Sequence, residues 1–200
     1  LDPSDYTGMS FWIISAAMVA ATFFFWVERD RAVGKWKTSL TVAAMVTGIA
    51  AIHYFYMRGV WASTGESPLV FRYVDWLLTV PLQIVEFYLI LAAIAVVKSS
   101  LFWRLLIASV IMLVAGYLGE VGSVNVWAGF VVGMLGWLYI IYEVFAGEAS
   151  QINASKGTAS SQKAFNALRL IVTIGWAIYP IGYMAGTEGW YSGIFGGLDG

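Results

Sequence analysis

Between positions 72 and 86 five polar side chains, Arg72, Asp75, Thr79, Gln83 and Glu86, interrupt an otherwise apolar run. On a helix turning about 100° per residue, with Asp75 as origin, Arg72 falls near +60°, Thr79 near +40°, Gln83 near +80° and Glu86 near +20°, all on one narrow face. The eleven positions from Asp75 to Glu86 correspond to roughly 16 Å of helix axis at ~1.5 Å per residue. Two carboxyls at two depths of one face outline a route for a charge across a membrane. A charged group at the bilayer centre costs at least ~2.5–3.5 kcal/mol, so such residues default to function. The competing reading is a polar stripe that only glues the helix to its neighbours. Five groups in register weigh against it.

Arg72 and Asp75 stand at i,i+3, close enough to stabilise one another. A carboxyl balanced between lost hydration and a nearby cation suits a group that takes and gives up a proton, although a static ion pair fits the same spacing. His53 is the only histidine. It lies about one turn inside the end of its apolar span, and Asp75 about one turn inside the start of the next. The two therefore reach similar depth, where a His–carboxylate pair would titrate as a unit; a purely structural histidine is the more frequent use of such a residue. Glu86 has few evident partners. It suits a proton donor, or a hydrogen bond to a neighbouring helix. Thr79 and Gln83 lie between the carboxyls, and either can bond within its own helix. Pro81 and Pro180 cannot donate to the carbonyls of Leu77 and Trp176, which predicts a kink in each helix. Trp76, Trp137, Trp176 and Tyr179 fall at about that depth and could line an aromatic pocket, or simply fill a core.

The elements that must position these residues are membrane helices. The chain has 200 residues, 60% of them hydrophobic and 12% charged, against about 25% charged in a soluble domain. Six apolar spans qualify by length: 9–27, 40–57, 71–97, 101–118, 126–145 and 165–184. None alternates with the period of a barrel strand, so the fold class is an all-α membrane protein. Ten Trp and eleven Tyr suit aromatic belts at the two interfaces. Gly129, Gly133 and Gly136 favour close helix approach. The connection 147–162, rich in Ser, Ala and Gly, is expected to be a mobile loop. No linker divides the chain, so residues 1–200 are expected to form one domain. The start, Leu1-Asp2-Pro3-Ser4-Asp5, carries no Met and no apolar signal region, and reads as beginning after processing or trimming. Residues 185–200 are Gly-rich and too polar to span.

Charge sets orientation. Arg29, Arg31, Lys35, Lys37, Lys98, Arg104, Lys156, Lys163 and Arg169 fall on one side, Arg58 and Arg72 on the other. The positive-inside rule then puts the N-terminus outside, Asp75 in the outer half and Glu86 in the cytoplasmic half. A net charge of −1 leaves no basic footprint for nucleic acid. The absence of cysteine excludes disulfides and thiolate metal sites, and no metal site is expected. No phosphate loop, HExxH or nucleophile elbow supports a soluble-type enzyme.

Arg72-Tyr73-Val74-Asp75-Trp76-Leu77-Leu78-Thr79-Val80-Pro81-Leu82, followed by Glu86, resembles the third helix of microbial rhodopsins. Gly175-Trp176-Ala177-Ile178-Tyr179-Pro180 resembles the sixth. The stretches at 27–31, 35–41, 53–54, 56–61 and 86–91 narrow the likeness to the proteorhodopsins. The resemblance implies a seven-transmembrane-helix rhodopsin bundle, of which six helices lie within these 200 residues. It implies retinal bound as a protonated Schiff base to a lysine of the seventh helix, and isomerised by light from all-trans to 13-cis. Lys35, Lys37, Lys98, Lys156 and Lys163 all fall in loops or at helix ends. The retinal lysine and a second counterion carboxylate are therefore expected beyond Gly200.

By the same resemblance Asp75 is the counterion and proton acceptor, Glu86 the cytoplasmic proton donor and His53 the acceptor's partner. Arg72 lies beneath the counterion, and Thr79 completes the Asp-Thr-Glu triplet of outward proton pumps. Trp76, Trp137, Trp176, Tyr179 and Pro180 line the retinal pocket. Gln83 occupies the colour-tuning position, Leu in green-absorbing and Gln in blue-absorbing members, which implies a blue absorber. The resemblance further implies a multi-pass protein of the bacterial inner membrane, assembled as a homo-pentamer or hexamer, with Trp12 as a candidate oligomer contact. The activity implied is outward, light-driven proton pumping. The alternative is a slow-cycling photosensory rhodopsin with the same chromophore. Sensory relatives often lack the carboxylate donor, so Glu86 argues for the pump.

Overall fold

A computed structural model describes residues 3–66 and 68–186. Among them every regular element is helical. Six segments are long and apolar enough to cross a membrane: Tyr6–Arg31, Lys35–Thr64, Leu69–Ile94, Ser99–Glu120, Val126–Lys156 and Ala159–Met184. These are the six spans expected from hydropathy, most of them extended by a few residues. Their contacts divide into two compact units, Leu1–Leu89 and Ile90–Gly200.

The first unit opens with α1 (Tyr6–Glu28). Asp5 caps it, accepting from Gly8 N at 2.8 Å, which satisfies one of the amides left over at a helix start. The same Asp5 oxygen accepts from Trp61 Nε1 at 3.0 Å. A short 3-10 turn, Arg29–Arg31, leads to α2 (Lys35–Thr64). Gly34 and Gly65 bracket α2 at positive φ of 59° and 68°, where a side chain would be strained. Small residues line the α1–α2 seam: Ser15, Ala43, Ala44 and Ala51 are buried, and Thr22 donates to or accepts from Thr47 at 2.9 Å. Ile13, Phe23 and Ile52 face outward. This inversion, with apolar side chains outside and hydroxyls inside, is what lipid as solvent demands. Next comes α3 (Leu69–Ile94), which continues through Pro81.

The second unit contains α4 (Ser99–Glu120) and α5 (Val126–Phe145), the latter capped by Asn125 on Trp127 N and Ala128 N. The two helices approach closely at glycines. A Cβ on Gly129 would stand 2.7 Å from Ala115 O, and one on Gly136 2.8 Å from Ala108 O. Then follow α6 (Glu148–Lys156), α7 (Ala159–Leu170), a π turn (Ile171–Gly175) and α8 (Trp176–Gly186).

One expectation is corrected. The stretch 147–162 is not a mobile loop. Glu148–Lys156 is helical, because Ala149 and Asn153, one turn apart, are buried and Arg104 Nη2 holds Glu148 at 2.7 Å. Tertiary anchoring overrides a composition that reads as loop. The sixth span also carries an irregularity that the sequence did not announce, a π turn at Ile171–Gly175 upstream of Pro180, through which α8 runs. The expectation for 187–200 lies outside the described residues.

Candidate functional site

The site grows from one face of α3. Asp75 and Thr79 are 3% and 5% exposed, while Val74, Leu77 and Leu78 point away from them to the surface. The period of a helix therefore sorts this segment as its residue types demanded. Thr79 Oγ1 donates to the carbonyl of Asp75 at 2.9 Å, so this hydroxyl is used within its own helix.

His53 of α2 lies beside Asp75, with Nδ1 3.4 Å from Oδ1. The same nitrogen lies 3.0 Å from the carbonyl of Ile49. A carbonyl only accepts, so Nδ1 carries the hydrogen in that contact. Asp75 Oδ1 is buried and has no hydrogen-bond partner among the described residues. A buried carboxylate with an unmet oxygen requires a proton or a cation. The cationic Schiff base that the resemblance implies is such a group, so these residues fit retinal. None of the five lysines lies in mid-span: Lys35, Lys37 and Lys98 stand at helix starts, Lys156 ends α6, and Lys163 lies in the second turn of α7.

Toward the other end of α3, Glu86 accepts from Ser39 Oγ at 3.2 Å. Ser39, in the second turn of α2, is buried. Sequence reasoning found the carboxyl and missed its partner. The signal was a hydroxyl at matching depth on the antiparallel neighbour. Gln83 lies between the two carboxyls, and its Oε1 is buried without a hydrogen-bond partner among the described residues. Arg72, half-buried, begins its helical bonding with N–H to Pro68 O at 3.1 Å. Trp76 meets the ring of Tyr73 edge-on at 5.0 Å. Trp12, 45% exposed, meets Phe55 at 5.3 Å and lies under the Arg58 guanidinium at 5.3 Å.

In the second unit Trp176 is buried, Tyr179 is 42% exposed and Pro180 is half-buried. Trp137 Nε1 donates to Val172 O at 2.7 Å. A further buried carboxyl, Glu143, accepts from Tyr139 OH at 3.1 Å and pairs with Arg104 Nη2 at 3.2 Å. It too went unremarked from sequence, although a lone acid in the apolar run 137–145 was a legible sign.

The family model described as "Bacteriorhodopsin-like protein" matches residues 5–195. The chain is 58% identical over 186 residues to the "Green-light absorbing proteorhodopsin" of Gamma-proteobacterium EBAC31A08, covering 93% of this chain and 74% of that protein. It is equally 58% identical, over 188 residues, to the "Blue-light absorbing proteorhodopsin" of Gamma-proteobacterium Hot 75m4, with the same coverage. Among solved structures, the blue light-absorbing proteorhodopsin from Med12 superposes with a TM-score of 0.78 at 55% identity, over 93% of this chain and 84% of that one.

Proposed function

This chain belongs to the bacteriorhodopsin-like protein family, and on that premise we propose that it is a blue-absorbing, light-driven outward proton pump. It is then a transporter rather than an enzyme, with residues 1–200 forming one domain of a multi-pass protein in the bacterial inner membrane, N-terminus outside. Retinal, held as a protonated Schiff base on a lysine beyond Gly200, supplies light absorption, the all-trans to 13-cis isomerisation and an exchangeable proton.

The chain's own residues then divide the work. Asp75 balances the positive charge and receives a proton on the outer side, its Oδ1 having no hydrogen-bond partner among the described residues. His53, 3.4 Å away, packs against that carboxyl and orients it. Thr79 spends its hydroxyl on the backbone and leaves the carboxyl of Asp75 available. Arg72, one turn outward, adds positive charge beneath the acceptor. Glu86 holds the proton on the cytoplasmic side, its Oε1 kept in place by Ser39. Trp76, Trp137, Trp176, Tyr179 and Pro180 enclose the polyene. Carrying one charge outward costs ~2.3 kcal/mol per 100 mV, well within the energy of a visible photon.

The observation that carries this reading is the pair of partnered carboxyls on one helix, buried Asp75 with His53 and half-buried Glu86 with Ser39. A photosensor has no need of a second, hydrogen-bonded carboxyl on the cytoplasmic side. Colour rests on Gln83 alone, because overall identity to green- and blue-absorbing relatives is equal. Assembly into pentamers or hexamers, with Trp12 at the contact, belongs to the same proposal.

The test is illumination of vesicles or cells that carry the full-length protein with retinal added. Acidification of the outer medium, abolished by a protonophore, supports the pump. A pigment that forms and cycles without moving protons rejects it.

A further inference from the structure

In a regular α-helix the N–H of each residue bonds the carbonyl four positions earlier. At Trp176 that rule breaks. Its N–H is directed to Ile171 O and Thr173 O, the fifth and third residues before it. The carbonyl passed over is that of Val172, a fully buried residue. This is the carbonyl that accepts from Trp137 Nε1 at 2.7 Å. The indole of α5 thus occupies the acceptor that the π turn releases. Four residues later Pro180 has no N–H to return to the carbonyl of Trp176. Trp176 therefore sits between two interruptions of its own helical ladder.

A π turn is rare and concentrates at functional sites. Its boundary with α-helix shifts when one carbonyl changes partner, so a side-chain donor that captures one particular carbonyl holds the boundary in place. Packing alone would ask only for a ring at position 137, with no use for its N–H.

We infer that Trp137 is a positioning residue whose indole N–H pins the π turn through Val172 O, and that this pin sets where Trp176 stands in the chromophore pocket. The second half rests on the proposed function, which makes Trp176 a pocket residue; the first half does not.

The experiment compares the full-length, retinal-loaded protein with Trp137→Phe, which keeps a ring and loses the donor. Two quantities are read: amide hydrogen exchange across 171–177, and the position of the visible band. The loss of one ordinary hydrogen bond predicts exchange faster by roughly two- to ten-fold, together with a displaced band. Unchanged exchange overturns the inference whether or not the band moves, since Trp137 is then only a wall. Faster exchange with an unmoved band overturns it as well, because the turn then does not set Trp176. Should the variant fail to fold, the indole ¹⁵N–H resonance of Trp137 in the unsubstituted protein decides: a hydrogen-bonded shift supports the pin and a free indole rejects it. If the parent forms no pigment with retinal, the pump reading falls, while the exchange measurement still decides the pin.

Discussion

His53 Nδ1 stands 3.4 Å from Asp75 Oδ1 and 3.0 Å from the carbonyl of Ile49. That nitrogen thus lies between an acceptor on its own helix and a carboxyl on the next. Its hydrogen is held by the carbonyl, so the ring stays beside Asp75 whether it is neutral or charged. His53→Ala removes the ring that lies against the acceptor carboxyl and should displace the visible band. A band at the same position in parent and variant would remove His53 from the acceptor site.

Asp75→Asn keeps the shape of the side chain and removes its charge. Light-driven acidification should be lost. The visible band should move to longer wavelength, because the positive charge of the chromophore then spreads further along the polyene. Pumping that survives in this variant would displace Asp75 as acceptor.

Gln83 keeps a buried Oε1 with no hydrogen-bond partner among the described residues, so its amide dipole remains available to a neighbouring charge. Replacement by Leu removes that dipole at similar volume. Gln83→Leu should shift the absorption maximum to longer wavelength while transport persists. An unshifted maximum sinks the colour assignment and leaves the pump reading intact.

Ser39 Oγ donates to Glu86 Oε1 at 3.2 Å. Ser39→Ala removes a bond of about 0.5–1.5 kcal/mol, which corresponds to roughly two- to ten-fold in rate. Flash photolysis should show the cytoplasmic proton-transfer step slowed by that factor, and slowed much further in Glu86→Gln. A step unaffected by Ser39→Ala would mean that Glu86 works without this partner.

Gly129 lets α4 and α5 approach, and an added Cβ would meet Ala115 O at 2.7 Å and Gly119 Cα at 2.8 Å. Both contacts are backbone and cannot rotate away. Gly129→Ala should cost about 1–3 kcal/mol, as overpacking does, and lower the melting temperature by several degrees in thermal denaturation followed by the visible band or by circular dichroism. An unchanged melting point would show that the helices separate without penalty.

Much of this protein was legible from residue order, because membrane helices are local objects. Hydropathy alone located the six spans, and a 3.6-residue period alone put Asp75, Thr79 and Glu86 on one face of α3. Even the approach of His53 to Asp75 followed from counting turns inward from two helix ends. What residue order did not show depends on the register between segments distant in the chain. Ser39 reaches Glu86 across 47 positions only because α2 and α3 lie antiparallel at one particular offset. Glu148–Lys156 folds as helix because Arg104, on another helix, fastens its first turn; its composition carries no such instruction. The π turn before Trp176 is the clearest case. Pro180 marked one interruption of the sixth helix, but residue order did not mark the other, which lies where Trp137 of α5 supplies a donor for Val172 O. A backbone carbonyl can leave its own helix only when a side chain elsewhere takes it up, and tertiary packing alone decides where that side chain is.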